Sequence, residues 1–108
     1  METPIISGNK RSRFYFNTIN IYADRMEAKG ILVPKKTILL NDIHSWIEIN
    51  KKQNPGNITW TELTIFTNKT KYVIMTLHWN NYNELKEALT KGKKRDTEKE
   101  EKIYKSIF

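Results

Sequence analysis

Between positions 37 and 50 the chain reads Thr37-Ile38-Leu39-Leu40-Asn41-Asp42-Ile43-His44-Ser45-Trp46-Ile47-Glu48-Ile49-Asn50. Apolar residues alternate on both sides of the Asn41-Asp42 step: Ile38 and Leu40 before it, then Ile43, Ile47 and Ile49 after it, with Ser45 in phase. Successive strand residues point to opposite faces, so a period of two buries one face of a sheet and wets the other. The stretch is expected to form two strands joined at a sharp corner. On strict alternation Ile43, Ile47 and Ile49 face the core, and His44, Trp46 and Glu48 face outward.

The flanking sequence extends this pattern. Residues 1–12 are polar, contain Pro4 and Gly8 and show no period, so they read as a flexible arm. Residues 13–17 form an aromatic strand, residues 19–23 continue extended, and Asp24-Arg25 is a tight turn. Residues 26–32 alternate as the next strand until Pro34, which has no amide hydrogen to donate to a ladder. Lys35-Lys36 then turns into the central stretch. Asn54-Pro55-Gly56-Asn57 suits a type II turn. In the strand over 58–67 the apolar parity changes between Trp60 and Leu63, which predicts a bulge near Thr61-Glu62. Asn68-Lys69-Thr70 is a hairpin connection, and residues 72–77 are apolar on both faces. One of those faces is expected on the core and the other under the helix that follows.

That helix is marked by a capping-box-like pair, Asn81 and Glu84, and by a stripe of Trp79, Tyr82, Leu85, Ala88 and Leu89, with Gly92 as its stop. Residues 93–102 contain no apolar side chain. They begin a charged tail, helical or disordered, that ends in the apolar cluster Ile103, Tyr104, Ile107 and Phe108. Such a cluster is expected to dock on its own domain or on a neighbouring chain. The organisation is therefore an arm (1–12), a single domain (13–92) and a tail (93–108). The fold class is mainly β with one C-terminal helix: an antiparallel, strongly bent sheet or a partly open barrel.

The corner Ile38-Leu39-Leu40-Asn41-Asp42-Ile43, followed by a strand, a hairpin and a helix preceded by the aromatic Trp79, resembles the bacterial pleckstrin-homology-like domains over residues 13–91. The resemblance implies a bent sheet plugged by one helix, and a non-catalytic scaffold that binds phosphoinositides, peptides or proteins. Lipid-binding members carry a basic pattern on the first two strands. Here only Lys10, Arg11 and Arg13 fall near it, and the next turn offers Arg25 beside Asp24.

Chemistry-bearing residues are few. With no cysteine there is neither a disulfide nor a thiolate site. His44 and His78 are the two histidines, and no spacing of carboxylates around them announces a metal. His44 and Ser45 are neighbours on a strand, so they are expected on opposite faces and out of hydrogen-bonding reach. The glycines do not form a phosphate loop. No enzymatic role and no cofactor are expected.

Binding is the expected activity. Trp46, beside His44, is a candidate anchor if it stands outward, and is otherwise packed under a loop or the tail. Together with Ile103, Tyr104, Ile107 and Phe108 it makes association with a protein, or with a second copy of the chain, the leading expectation. The net charge is +7, with twelve basic residues against eight acidic in 1–90 and seven against four in 91–108. That field favours anionic partners. Lys10, Arg11, Arg13, Lys35 and Lys36 are candidates for an anionic membrane or phosphorylated ligand. With Lys51, Lys52 and an aromatic platform at Tyr15 or Trp46 they make a weaker case for nucleic acid. The first eight residues lack a basic segment followed by an apolar core, so no secretory leader is expected and a cytosolic location is the default.

Overall fold

The computed structural model describes residues 3–9, 16–53, 58–75 and 81–107. The start of the aromatic strand, the 54–57 turn, Trp79 and Phe108 lie outside them. The described strands form two four-stranded sheets. The first has the order β1-β2-β3-β4, from Ile6–Asn9, Thr18–Ile21, Arg25–Lys29 and Lys36–Leu39, all antiparallel. A single 3-10 turn, Leu40–Asp42, makes the corner. The second sheet has the order β7-β6-β5-β8, with β5 Ile43–Gln53, β6 Ile58–Thr67, β7 Lys71–Met75 and β8 Lys94–Arg95. Helix α1 (Tyr82–Thr90) lies between β7 and β8 in the chain, and α2 (Thr97–Ile107) follows β8. The fold is mainly β, as expected, with the two sheets not closed into a barrel. A cleft of about 240 Å³ lies between Thr37, Ile38 and Asp42 on one side and Asn68, Lys69 and Tyr72 on the other.

The core sits between the sheets. Ile19, Ile21, Met26, Ala28 and Ile38 of the first meet Ile43, Leu63, Ile65 and Ile74 of the second, and α1 adds Leu85 and Leu89. Burial of this kind contributes roughly 1.5–3 kcal/mol per large aliphatic side chain and dominates the stability of a small domain. Gly92, at φ 73°, takes the left-handed conformation that ends α1, and the Lys93 amide bonds the Thr90 carbonyl at 2.9 Å.

Several expectations change. Residues 6–9 are not part of a loose arm: they form edge strand β1, paired to β2 from Ile6↔Ile21 to Asn9↔Thr18. Asn81 stands at the start of α1 without a side-chain cap; its Nδ2 donates to the Ser7 carbonyl at 2.8 Å and ties the helix to β1. Of the two alternatives for the tail the helical one is found, with α2 over Thr97–Ile107 after the short strand β8, so among the described residues a second helix joins the one that closes the domain. Lys36 opens β4 instead of turning.

The largest change concerns the central strand. β5 pairs Ile43 with Thr67 but Ser45 with Phe66, so His44 is an extra residue and the bulge is here. From Ser45 to Gln53 the ladder runs unbroken through Asn50↔Thr61 and Ile49↔Glu62, where the bulge had been expected. The extra residue resets the parity. Ile43 and Trp46 now share the core face, Trp46 opposite Ile65 and Glu48 opposite Leu63. Ile47 and Ile49 are turned to the other face, 4% and 3% exposed. They are covered there because that face is not solvent: α2 lies along it with Ile103. The parity change in β6 has the same origin, since Leu63 and Ile65 serve the core while Thr64 and Phe66 serve the outer face.

Deleting His44 tests this register. The ladder would become regular with Ile43 and Trp46 still inward, so the variant should fold and lose no more than roughly 2 kcal/mol in urea denaturation. Had β5 alternated strictly, the same deletion would turn over one half of the strand relative to the other and abolish cooperative unfolding.

Candidate functional site

Trp46 is half-buried and engaged on every side. Its ring packs on the core, and its Nε1 donates to the Lys93 carbonyl at 3.3 Å. Lys86 Nζ and the Arg95 guanidinium lie 5.5 and 5.1 Å from the ring centre, both at cation–π distance. It is therefore a packed junction between α1, β8 and the sheet, the alternative to an outward anchor. Glu48, also expected outward, turns to α1, where it accepts hydrogen bonds from the Tyr82 hydroxyl and from Lys86 Nζ at 3.0 Å. Burial works against its charge, but these two donors outweigh it and hold the carboxyl below its ordinary range. Burial and the adjacent Glu48 push the Tyr82 hydroxyl well above the usual tyrosine range, so it stays a donor.

The expected tail anchors are used internally as well. β8 pairs with β5 only at Ser45 and Trp46, which leaves the next edge amides without a strand. Glu100 accepts the Glu48 amide at 2.8 Å, and the Tyr104 hydroxyl accepts the Asn50 amide at 2.9 Å. The spacing explains the fit. Four helical residues rise about 6 Å, and two strand residues advance about 6.6 Å. Glu100, 7% exposed, also takes both contacts from Arg95 Nε, at 2.9 and 3.2 Å. Ile103 is half-buried against the outer sheet face. The Ile107 side chain and Phe108 lie outside the described residues.

His44 and Ser45 do meet, with Ser45 Oγ 2.9 Å from His44 Nδ1, contrary to the expectation from strand alternation. The bulge breaks that alternation. Ser45 is buried, and the described residues bring no carboxylate to the imidazole. No group of three metal-binding side chains gathers among the described residues.

Ile5, just before β1, is 68% exposed, and two more exposed large apolar side chains stand side by side in the connection between β3 and β4. Ile31 is 73% and Leu32 64% exposed, in a turn closed by the Gly30 amide on the Val33 carbonyl at 3.0 Å. Lys29 ends β3, Lys36 opens β4, and both are exposed. Lys35 Nζ reaches Glu27 at 2.7 Å, and that hydrogen bond holds the Glu27 carboxyl below its ordinary range. Strand pairing places Asn9, Thr18 and Lys29 at one end of the sheet. Lys10, Arg11 and Arg13 fall in sequence between Asn9 and Thr18, outside the described residues. Sequence alternation had assigned Ile31 and Leu32 to a strand. The missed signal was Gly30 and Pro34 bracketing three apolar residues between lysines.

Among the described residues no helix is long and apolar enough to cross a membrane. Compared with known proteins, the chain matches no family model, no curated sequence and no solved structure.

Glu48→Gln checks the buried cluster. A carboxyl held below its ordinary value adds stability above that value and loses it as pH falls. The variant should be less stable than the parent by about 1–2 kcal/mol at pH 7. Urea midpoints measured against pH should begin to converge as pH falls below the ordinary 4.5 and meet only below the lowered native value.

Proposed function

We propose that this chain is a non-catalytic binding module that docks peripherally on anionic membrane surfaces through the β3–β4 hairpin. One observation carries the reading: two adjacent large apolar side chains, Ile31 and Leu32, stand in solvent at a turn flanked by Lys29, Lys35 and Lys36. A soluble surface gains nothing from holding such residues in water, whereas a bilayer interface accepts apolar tips and attracts the cations beside them.

Magnitudes favour the two acting together. A lysine near an anionic surface contributes about 1 kcal/mol. Three of them fall short of millimolar affinity, and Lys35 is partly answered by Glu27. Inserting Ile31 and Leu32 adds roughly 2 kcal/mol each, enough to reach the ten-micromolar range. Neither set suffices alone. Lys10, Arg11 and Arg13, in the connection between β1 and β2, extend the basic set in this reading.

The reading is also consistent with an open pleckstrin-homology-like architecture, in which two mainly antiparallel sheets are plugged by α1. Association through Trp46 or the tail is less favoured, because Trp46, Ile103 and Tyr104 are occupied within the chain.

Sedimentation with vesicles tests the proposal. The chain should bind phosphatidylserine-containing vesicles, ignore pure phosphatidylcholine, and release in high salt. Replacing Ile31 and Leu32 together by serine should weaken binding about a thousandfold, since the surface turn leaves the core untouched. Equal binding to neutral vesicles, or no loss in the double variant, would sink the idea.

A further inference from the structure

The face of the second sheet that looks away from the core carries a groove of about 430 Å³, walled on one side by α2. Its floor is Ile47, Ile49 and Val73, with Thr64 between Ile47 and Val73, and Ile103 comes from the helix. The volume falls within the roughly 300–1,000 Å³ of small-ligand sites, and an apolar floor with a few charged groups is their common make-up. Existence of the groove follows from the bulge, which turns Ile47 and Ile49 to this face.

Its charge is lopsided, and that selects the occupant. At one end Lys51 is neutralised by Glu62, with Nζ 3.0 Å from the carboxylate. At the other end two ammonium groups flank one aromatic. Lys71 stands directly across the ladder from Phe66, and Lys99 Nζ lies 4.0 Å from the centre of the same ring. Lys99 Nζ is 3.9 Å from the Asp96 carboxylate, at the limit of an ion pair. Lys71 is exposed. The groove thus offers an apolar channel with positive charge in excess at the Phe66 end.

We infer that this groove binds a free amphiphilic carboxylate, its anionic head between Lys71 and Lys99 and its apolar tail along Ile47, Val73 and Ile103. A cationic amphiphile meets two ammoniums at the head position. A small anion gains no tail contact. A flat bilayer does not reach a floor walled by a helix, so the occupant is a free molecule rather than a lipid in a membrane. The site is separate from the β3–β4 hairpin and does not depend on the membrane reading.

Titration of the ¹⁵N-labelled full chain with sodium dodecanoate below its micelle concentration tests this. Saturable shifts are expected at the amides of Ile47, Val73 and Ile103. Acetate should give none, and dodecyltrimethylammonium should bind at least about tenfold more weakly. Replacing Lys71 and Lys99, both on the surface, by glutamine should weaken dodecanoate about tenfold and leave the rest of the spectrum in place. The serine variant of Ile31 and Leu32 should keep its dodecanoate affinity, so failure here and failure of membrane docking are told apart. Equal affinity for the cationic amphiphile would overturn the inference, as would unsaturable or scattered shifts. So would tighter binding of a short acidic peptide, or a concentration-dependent dimer that occupies the same amides.

Discussion

The extra residue at His44 decides which layer each side chain of β5 serves. Before it, Ile43 joins the core between the sheets; after it, Trp46 and Glu48 continue on that side while Ile47 and Ile49 turn away. A strand with strict parity has one wet face. This one has none, because its second face is roofed by α2. The same step sets the junction around Trp46 and the floor of the outer groove. It also explains how α2, a helix rich in charge, comes to be held: it covers apolar surface that the bulge has turned outward.

Polar contacts finish what the apolar layers begin. Glu48 is enclosed with Tyr82 and Lys86, and Glu100 with Arg95 and the amide of Glu48. A carboxylate removed from water is costly unless its oxygens find donors, and both oxygens of each of these do. The two carboxylates sit on opposite sides of one strand segment, one joining it to α1 and the other to α2. Interface-like residue types at Trp46, Ile103 and Tyr104 are thereby spent on joining parts of the same chain.

How much of this was legible in the sequence depended on the range of the forces involved. The corner at residues 40–42, the hairpin at 68–70 and the stop at Gly92 are local matters of backbone preference, and they stand where the residues imply, while the turn expected at Asp24-Arg25 falls one residue earlier because Arg25 already opens β3. The two-sided apolarity of residues 72–77 is visible, but at Val73 the outer face of β7 looks into the groove beside α2 rather than onto α1. The facing of Trp46 was not legible, since one inserted residue inverts everything after it and His44 carries no mark of being extra. The pairing of Glu100 and Tyr104 with Glu48 and Asn50 spans 52 and 54 positions and has no local signature. Ile31 and Leu32 were legible in principle, as a run bracketed by glycine and proline.

The way the β5 edge is closed has a consequence for how the chain is made. Strand pairing gives β5 a full partner on one side, while among the described residues its other side is completed by β8 and α2, which follow the other strands and α1 in the sequence. An uncovered strand edge is a template for pairing with another chain. During vectorial synthesis β1 to β7 emerge, and the sheets can assemble, while the residues that seal Glu48 and Asn50 are still within the ribosome. The nascent chain therefore passes through an interval with an open edge and an unroofed Ile47–Ile49 face. The high charge of residues 93–102 suits that interval, since it keeps the late segment solvated until it reaches the strand it protects.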